Sequence, residues 1–107
     1  VVVDVPGVSV VEADAMSIDW DELLGDRGGW VLVANLPYNV ATPIVAESLS
    51  GLPTLELWCV MVQREVADRI IAKPGTSEFG VLSVLVQWRA DVARVLAIPP
   101  GAFRPPP

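Results

Sequence analysis

Trp30-Val31-Leu32-Val33-Ala34-Asn35-Leu36-Pro37-Tyr38 is the stretch on which the reading of this chain turns. The apolar run 30–34 predicts a buried strand, and Asn35-Leu36-Pro37-Tyr38 stands at its mouth. In open α/β sheets, ligands bind just beyond the carboxyl ends of the strands. Asn35 brings an amide that both accepts and donates. Pro37 fixes its own backbone and lacks an N–H, so the carbonyls beside it are available as acceptors. Tyr38 offers a flat face for stacking. Together these groups suit a planar base held by its exocyclic amine. Asn, Pro and Tyr are also ordinary turn residues, so the four residues alone leave a plain turn after a strand as an open reading.

Working outward, strands and helices alternate. Upstream, residues 1–5 are apolar and ambiguous between helix and strand, and Pro6-Gly7 breaks them. Residues 8–12 predict a strand. Ser17 or Asp19 caps a short helix through Leu24, which Gly25 ends, and 26–29 form a turn. Downstream, Thr42 at the cap and Pro43 at the first position start a helix that runs to about Ser50. Residues 57–63 are apolar on both faces and predict a central strand. Residues 64–72 predict a helix, with Val66 and Ile70 on one face and Glu65 and Arg69 as a surface pair. Residues 80–89 conflict: Val81, Val84 and Val86 favour a strand, while Leu82, Leu85 and Arg89 keep helical spacing. Residues 91–98 predict a strand that Pro99-Pro100-Gly101 ends. This alternation gives an α/β layered fold.

At 107 residues the chain amounts to about one small domain, and a complete fold of that size buries roughly 65% of its unfolded surface. Hydrophobic residues make up 52% and mean hydropathy is +0.51, too apolar for disorder. The single cysteine, Cys59, lies in an apolar run and excludes a disulfide framework. With no histidine, neither a Ser-His-Asp or Cys-His site nor a Cys/His zinc cluster can form, and no metal site is expected. No run approaches a membrane span and no signal peptide is evident, so a cytoplasmic protein is expected. The net charge of -6 argues by itself against a nucleic-acid-wrapping protein. Opening on Val1-Val2-Val3 and stopping at Pro105-Pro106-Pro107, the chain is expected to be part of a longer one.

Five ordered segments resemble one family. They are Glu12-Ala13-Asp14-Ala15-Met16; Asn35-Leu36-Pro37-Tyr38-Asn39 with Thr42-Pro43; and Gln63-Arg64-Glu65-Val66-Ala67 with Arg69 and Ala72. Gly80, Leu82-Ser83-Val84 and Gln87 follow, and then Ile98-Pro99-Pro100 with Phe103 and the closing prolines. The chain resembles the central part of the ribosomal RNA small-subunit adenine dimethyltransferases of the KsgA type. That resemblance implies an incomplete Rossmann-like, class I S-adenosylmethionine-dependent methyltransferase: strands 3 to 6 of a seven-stranded sheet ordered 3-2-1-4-5-7-6. Residues 1–107 are then a partial catalytic domain, with the cofactor loop and strands 1 and 2 upstream, and strand 7 and a helical domain downstream. It also implies a helix over 80–88. Without their neighbours, the four strands are expected to expose apolar edges, leaving the piece poorly folded and inactive alone.

The resemblance implies roles as well. Asp14 accepts from the cofactor's adenine amine and the Ala15 N–H donates to its ring; the plainer reading of Asp14 is a cap on the following loop. Asn35, with the carbonyl of Leu36 or Pro37, accepts the two hydrogens of a target N6 amine, and Asn35 also borders the cofactor. Tyr38 and Phe103 stack on the extruded base, although Phe103 also reads as a core aromatic beside Pro99 and Pro100. Arg64 and Lys73 sit near helix ends, where phosphate contact competes with plain solvation. The four tryptophans read as core or interface. The implied activity is N6,N6-dimethylation of adenines in small-subunit (16S) rRNA, with the assembling small ribosomal subunit as partner and a monomer as the implied state. Alternatives are the erythromycin-resistance methylases of large-subunit rRNA, a DNA N6-adenine methylase, and a non-catalytic ribosome-assembly factor. Gln63-Arg64-Glu65 and Leu82-Ser83-Val84 favour the small-subunit group, and Leu36 disfavours the DNA enzymes.

Overall fold

A computed structural model describes residues 5–37 and 39–105. The elements in order are α1 (Trp20–Leu24), β1 (Trp30–Asn35), α2 (Ala41–Gly51), β2 (Leu55–Met61), α3 (Arg64–Ile71) and α4 (Val81–Gln87), then a 3₁₀ turn at Pro100–Ala102. β1 and β2 pair in parallel, with Val33 opposite Cys59 and Asn35 opposite Met61. The crossover between them is α2, as a parallel pair requires.

Local chemistry sets the ends. The Asp19 carboxylate accepts the Glu22 N–H at 3.1 Å and caps α1. Gly25 closes it at φ +64°, a left-handed conformation that glycine adopts without a Cβ penalty. α2 begins one residue before the expected Thr42 cap. The Pro37 carbonyl takes the Val40 and Ala41 N–H groups at 3.3 and 3.1 Å, so Val40 is the cap residue and Pro43 falls within the first turn. A proline is harmless there because first-turn N–H groups have no partner inside the helix. β2 begins and ends two residues before the expected span 57–63, because its bounds follow its pairing with β1 and Gln63 becomes the N-terminal flank of α3. The conflict over 80–89 resolves as helix α4.

Three helices meet over one face of the strand pair. Val45 of α2, Ile70 of α3 and Val86 of α4 are the buried centre, with Leu36, Val60, Val66 and Leu82 packed against them. The other face is bare: Val31, Val33 and Leu57 are well exposed, and Cys59 is open to solvent. The expectation of a central strand covered on both faces is therefore corrected. Among the described residues β2 has one hydrogen-bonded neighbour and one covered face.

Two further expected strands do not form. Residues 8–12 and 91–98 carry no strand, so two of the four expected strands are present. A strand exists only against a partner that takes its N–H and C=O groups, and among the described residues neither segment has one. Val8, Val10 and Val11 stand open in the first segment and Val95 and Leu96 in the second. The accessible surface of 8390 Å² compares with about 5,800 Å² for a compact domain of this mass. The excess agrees with the expectation of exposed apolar edges. Among the described residues no helix is long and apolar enough to cross a membrane.

Candidate functional site

The carboxyl edge of the strand pair carries the candidate site. Asn35 is the last residue of β1 and is exposed. The next residue is fixed twice. Its main chain is strapped to β2 by the Leu36 N–H donating to the Met61 carbonyl at 3.0 Å, and its side chain packs against the Val45, Ile70 and Val86 cluster. One amino acid thus anchors the loop in the core while its carbonyl stays at the edge.

The three acceptors of this loop are not equivalent. The Pro37 carbonyl already receives two N–H groups from the start of α2. No backbone N–H among the described residues reaches the Leu36 carbonyl, and the Asn35 carboxamide has no hydrogen-bond partner among them. Among the described residues the acceptors left free are the Asn35 carboxamide and the Leu36 carbonyl. The choice the sequence left open between Leu36 and Pro37 is narrowed by which carbonyl the helix consumes. Tyr38 lies outside the described residues, and so do Pro106 and Pro107.

A second donor–acceptor set lies in the turn after residue 12. One carboxylate oxygen of Asp14 accepts the Met16 N–H at 2.9 Å, and the Asp14 carbonyl accepts the Ser17 N–H at 2.9 Å. Asp14 does cap its own loop, as the plainer reading had it. Among the described residues its second carboxylate oxygen accepts no hydrogen bond and the Ala15 N–H has no backbone acceptor. The turn is held by one indole, Trp20 Nε1 donating to the Ala15 carbonyl at 2.9 Å, while Trp30 Nε1 donates to the Leu24 carbonyl at the end of α1 at 3.2 Å. A free acceptor beside a free donor fits the amine and ring-nitrogen edge of an adenine. No hydrogen bond among the described residues links this turn to the Asn35 loop.

Phe103 is half-buried, its N–H donating to the Pro100 carbonyl at 3.1 Å. It is not among the side chains packed on the Val45, Ile70 and Val86 cluster. No hydrogen bond among the described residues joins its segment to the Asn35 loop. A cleft of about 810 Å³ among the described residues is bounded by Ala15, Trp20, Trp30, Leu32 and Ser48. It flanks the start of β1, away from Asn35 and beside the turn that carries Asp14 and Ala15.

What the sequence reading did not assign is the clasp that orients α3. A helix ends with carbonyls that find no partner inside it. Here α4 supplies the donors: Ser83 Oγ donates to the Arg69 carbonyl, and Gln87 Nε2 donates to the Ile70 and Ala72 carbonyls at 2.8 Å each. Ser83 is fully buried and also accepts the Gly80 N–H at 3.1 Å. A second unassigned contact pins β2 to α2, where Trp58 Nε1 donates to Ser48 Oγ at 2.8 Å. Spacing gave a signal for the clasp, since Ser83 and Gln87 are four apart on an otherwise apolar helix. Glu65 and Arg69 form no ion pair among the described residues; the pair present is Arg94 with Asp68.

The family model described as ribosomal RNA adenine dimethylase matches residues 4–107. A Geobacter metallireducens protein named "Ribosomal RNA small subunit methyltransferase A" is 42% identical over 106 residues, covering 97% of this chain and 38% of that protein. The protein of the same name from Jannaschia sp. is 47% identical over 107 residues, covering 95% and 36%. That from Paracidovorax citrulli is 40% identical over 102 residues, covering 94% and 40%. The chain spans less than half the length of these curated relatives.

Proposed function

Because this chain belongs to the ribosomal RNA adenine dimethylase family, we propose that it is part of the catalytic domain of an enzyme that dimethylates adenine N6 in small-subunit rRNA. S-adenosylmethionine is the methyl donor in this reading, and its bound form supplies an electrophilic methyl group. β1 and β2 take the places of strands 4 and 5 in the seven-stranded sheet, which are the only neighbours among strands 3 to 6 in the order 3-2-1-4-5-7-6. Their parallel pairing supports that placement.

The observation that carries the proposal is the pair of free acceptors at the carboxyl edge, the Asn35 carboxamide and the Leu36 carbonyl. An adenine amine is a weak nucleophile because its lone pair is delocalised into the ring. Asn35 Oδ1 and the Leu36 oxygen accept its two hydrogens and draw the nitrogen toward tetrahedral geometry, which localises the lone pair. Such catalysis is positioning and electrostatics, and needs no strong base. That suits a chain without histidine. Asp14 and the Ala15 N–H hold the donor's adenine edge, and Tyr38 and Phe103 are the stacking faces for the target base. The relatives' shared name favours small-subunit over large-subunit rRNA as substrate.

The test is methyl transfer from labelled S-adenosylmethionine to unmethylated small ribosomal subunits by the complete polypeptide that carries this segment. Label in N6-dimethyladenine, lost in Asn35→Ala, is the expected result. Label confined to large-subunit RNA, or an undiminished Asn35→Ala enzyme, overturns the reading.

A further inference from the structure

Seven cations serve a chain of net charge -6, so which of them meets RNA matters. Sequence alone left Arg64 and Lys73 equivalent, one near each end of a helix. The structure separates them. Asn35 stands opposite Met61 in the strand register, and Arg64 follows Met61 by three residues, at the same carboxyl edge. Adjacent strands lie about 4.8 Å apart, so the start of α3 neighbours the Asn35 loop. α3 then runs the length of Arg64–Ile71 away from that edge, about 12 Å at 1.5 Å per residue. Lys73 lies beyond the far end.

Arg64 is also free. Its helical neighbour four residues on is Asp68, the natural carboxylate to neutralise it. That carboxylate is taken by Arg94, and the Arg94–Asp68 contact is the ion pair among the described residues. The Arg64 side chain is exposed and makes no hydrogen bond among them. Glu65 is the adjacent charge, on the next helical position and likewise exposed. A guanidinium offers a planar fork matched to two phosphate oxygens, and its charge persists at any working pH.

We propose that Arg64 grips a backbone phosphate next to the target adenosine and so positions the substrate strand over Asn35. The proposal rests on the RNA-methylating reading above. Phosphate contacts of this kind fix register without reading sequence. Arg64 is a positioning residue, and its contribution is visible in salt dependence.

The experiment measures binding of a short single-stranded adenine-containing RNA by the complete polypeptide between low and moderate salt, together with methyl transfer to unmethylated small subunits. Arg64→Gln is expected to weaken RNA binding roughly tenfold and to reduce the slope of log affinity against log salt by about 0.7. The loss falls mainly on KM for RNA. Arg64→Lys recovers most of the slope, and Lys73→Gln leaves it unchanged. An unchanged slope in Arg64→Gln, or an equal drop in Lys73→Gln, overturns the assignment of Arg64 while leaving the methyltransferase reading intact. A wild-type protein that neither binds RNA nor methylates it overturns both.

Discussion

Replacing Gln87 by leucine removes the two donors that close the carboxyl end of α3. The Ile70 and Ala72 carbonyls each receive Gln87 Nε2 at 2.8 Å, and both residues are buried. Each bond contributes about 1 kcal/mol net. Leucine keeps most of the packing volume but leaves two carbonyls short of a partner, so the expected loss is about 2–3 kcal/mol. In urea, with a slope near 2 kcal/mol/M, the midpoint of the complete polypeptide falls by about 1 M. Gln87→Glu is the sharper test, because its shape is nearly identical while a carboxylate faces two carbonyl oxygens. At neutral pH it is expected to unfold more readily than Gln87→Leu. The introduced carboxyl binds its proton more tightly folded than unfolded, since its charged form is opposed only in the folded state. Its folded pKa is thus raised, and the variant gains stability as pH falls through that titration. Urea melts of the three proteins across pH read the ranking directly. A Gln87→Leu midpoint indistinguishable from wild type, or Gln87→Glu as stable as Gln87→Leu at neutral pH, refutes the clasp as the closure of α3.

Other substitutions probe separate elements. Asn35→Ala is expected to lower methyl transfer by at least a hundredfold, yet leave the urea midpoint unchanged, because its side chain is exposed and unbonded. Asp14→Ala is expected to weaken S-adenosylmethionine binding roughly tenfold by calorimetry, as one charged acceptor is lost. Gly25→Ala forces a Cβ into φ +64° and is expected to cost about 1 kcal/mol, seen as a lower thermal midpoint. Trp58→Phe removes the indole donor to the buried Ser48 hydroxyl and is expected to cost about 1 kcal/mol in the same assay.

Much of the architecture was legible wherever a signal was local. Asp19 as cap and Gly25 as stop bounded α1, and the apolar run 30–34 gave β1 to within one residue. The helix over 80–88 was legible through family likeness and not through propensity, since three valines there spoke for a strand. What decided it is long-range: Ser83 and Gln87 are useful on a helix because α3 presents open carbonyls to them. The segments 8–12 and 91–98 failed for the converse reason. Their residues suit strands, but a strand is a property of two segments, and no partner lies beside either among the described residues. At the candidate site the sequence named Asn35, Leu36 and Pro37 as acceptors but not their rank. The rank follows from α2 starting early and consuming the Pro37 carbonyl.

Leu36 has its side chain among core aliphatics and its main chain at the carboxyl edge of the strand pair. A residue so placed converts packing faults into aiming faults. Shaving a methyl from Val45 or Ile70 is expected to let Leu36 settle inward and to draw its carbonyl along by a fraction of an ångström. Displacements of that order already cost rate where a nucleophile must be held in line. Conditional, heat-sensitive loss of activity is therefore expected to map to aliphatic positions that never meet RNA or methyl donor, and to be rescued by a bulkier side chain across the core.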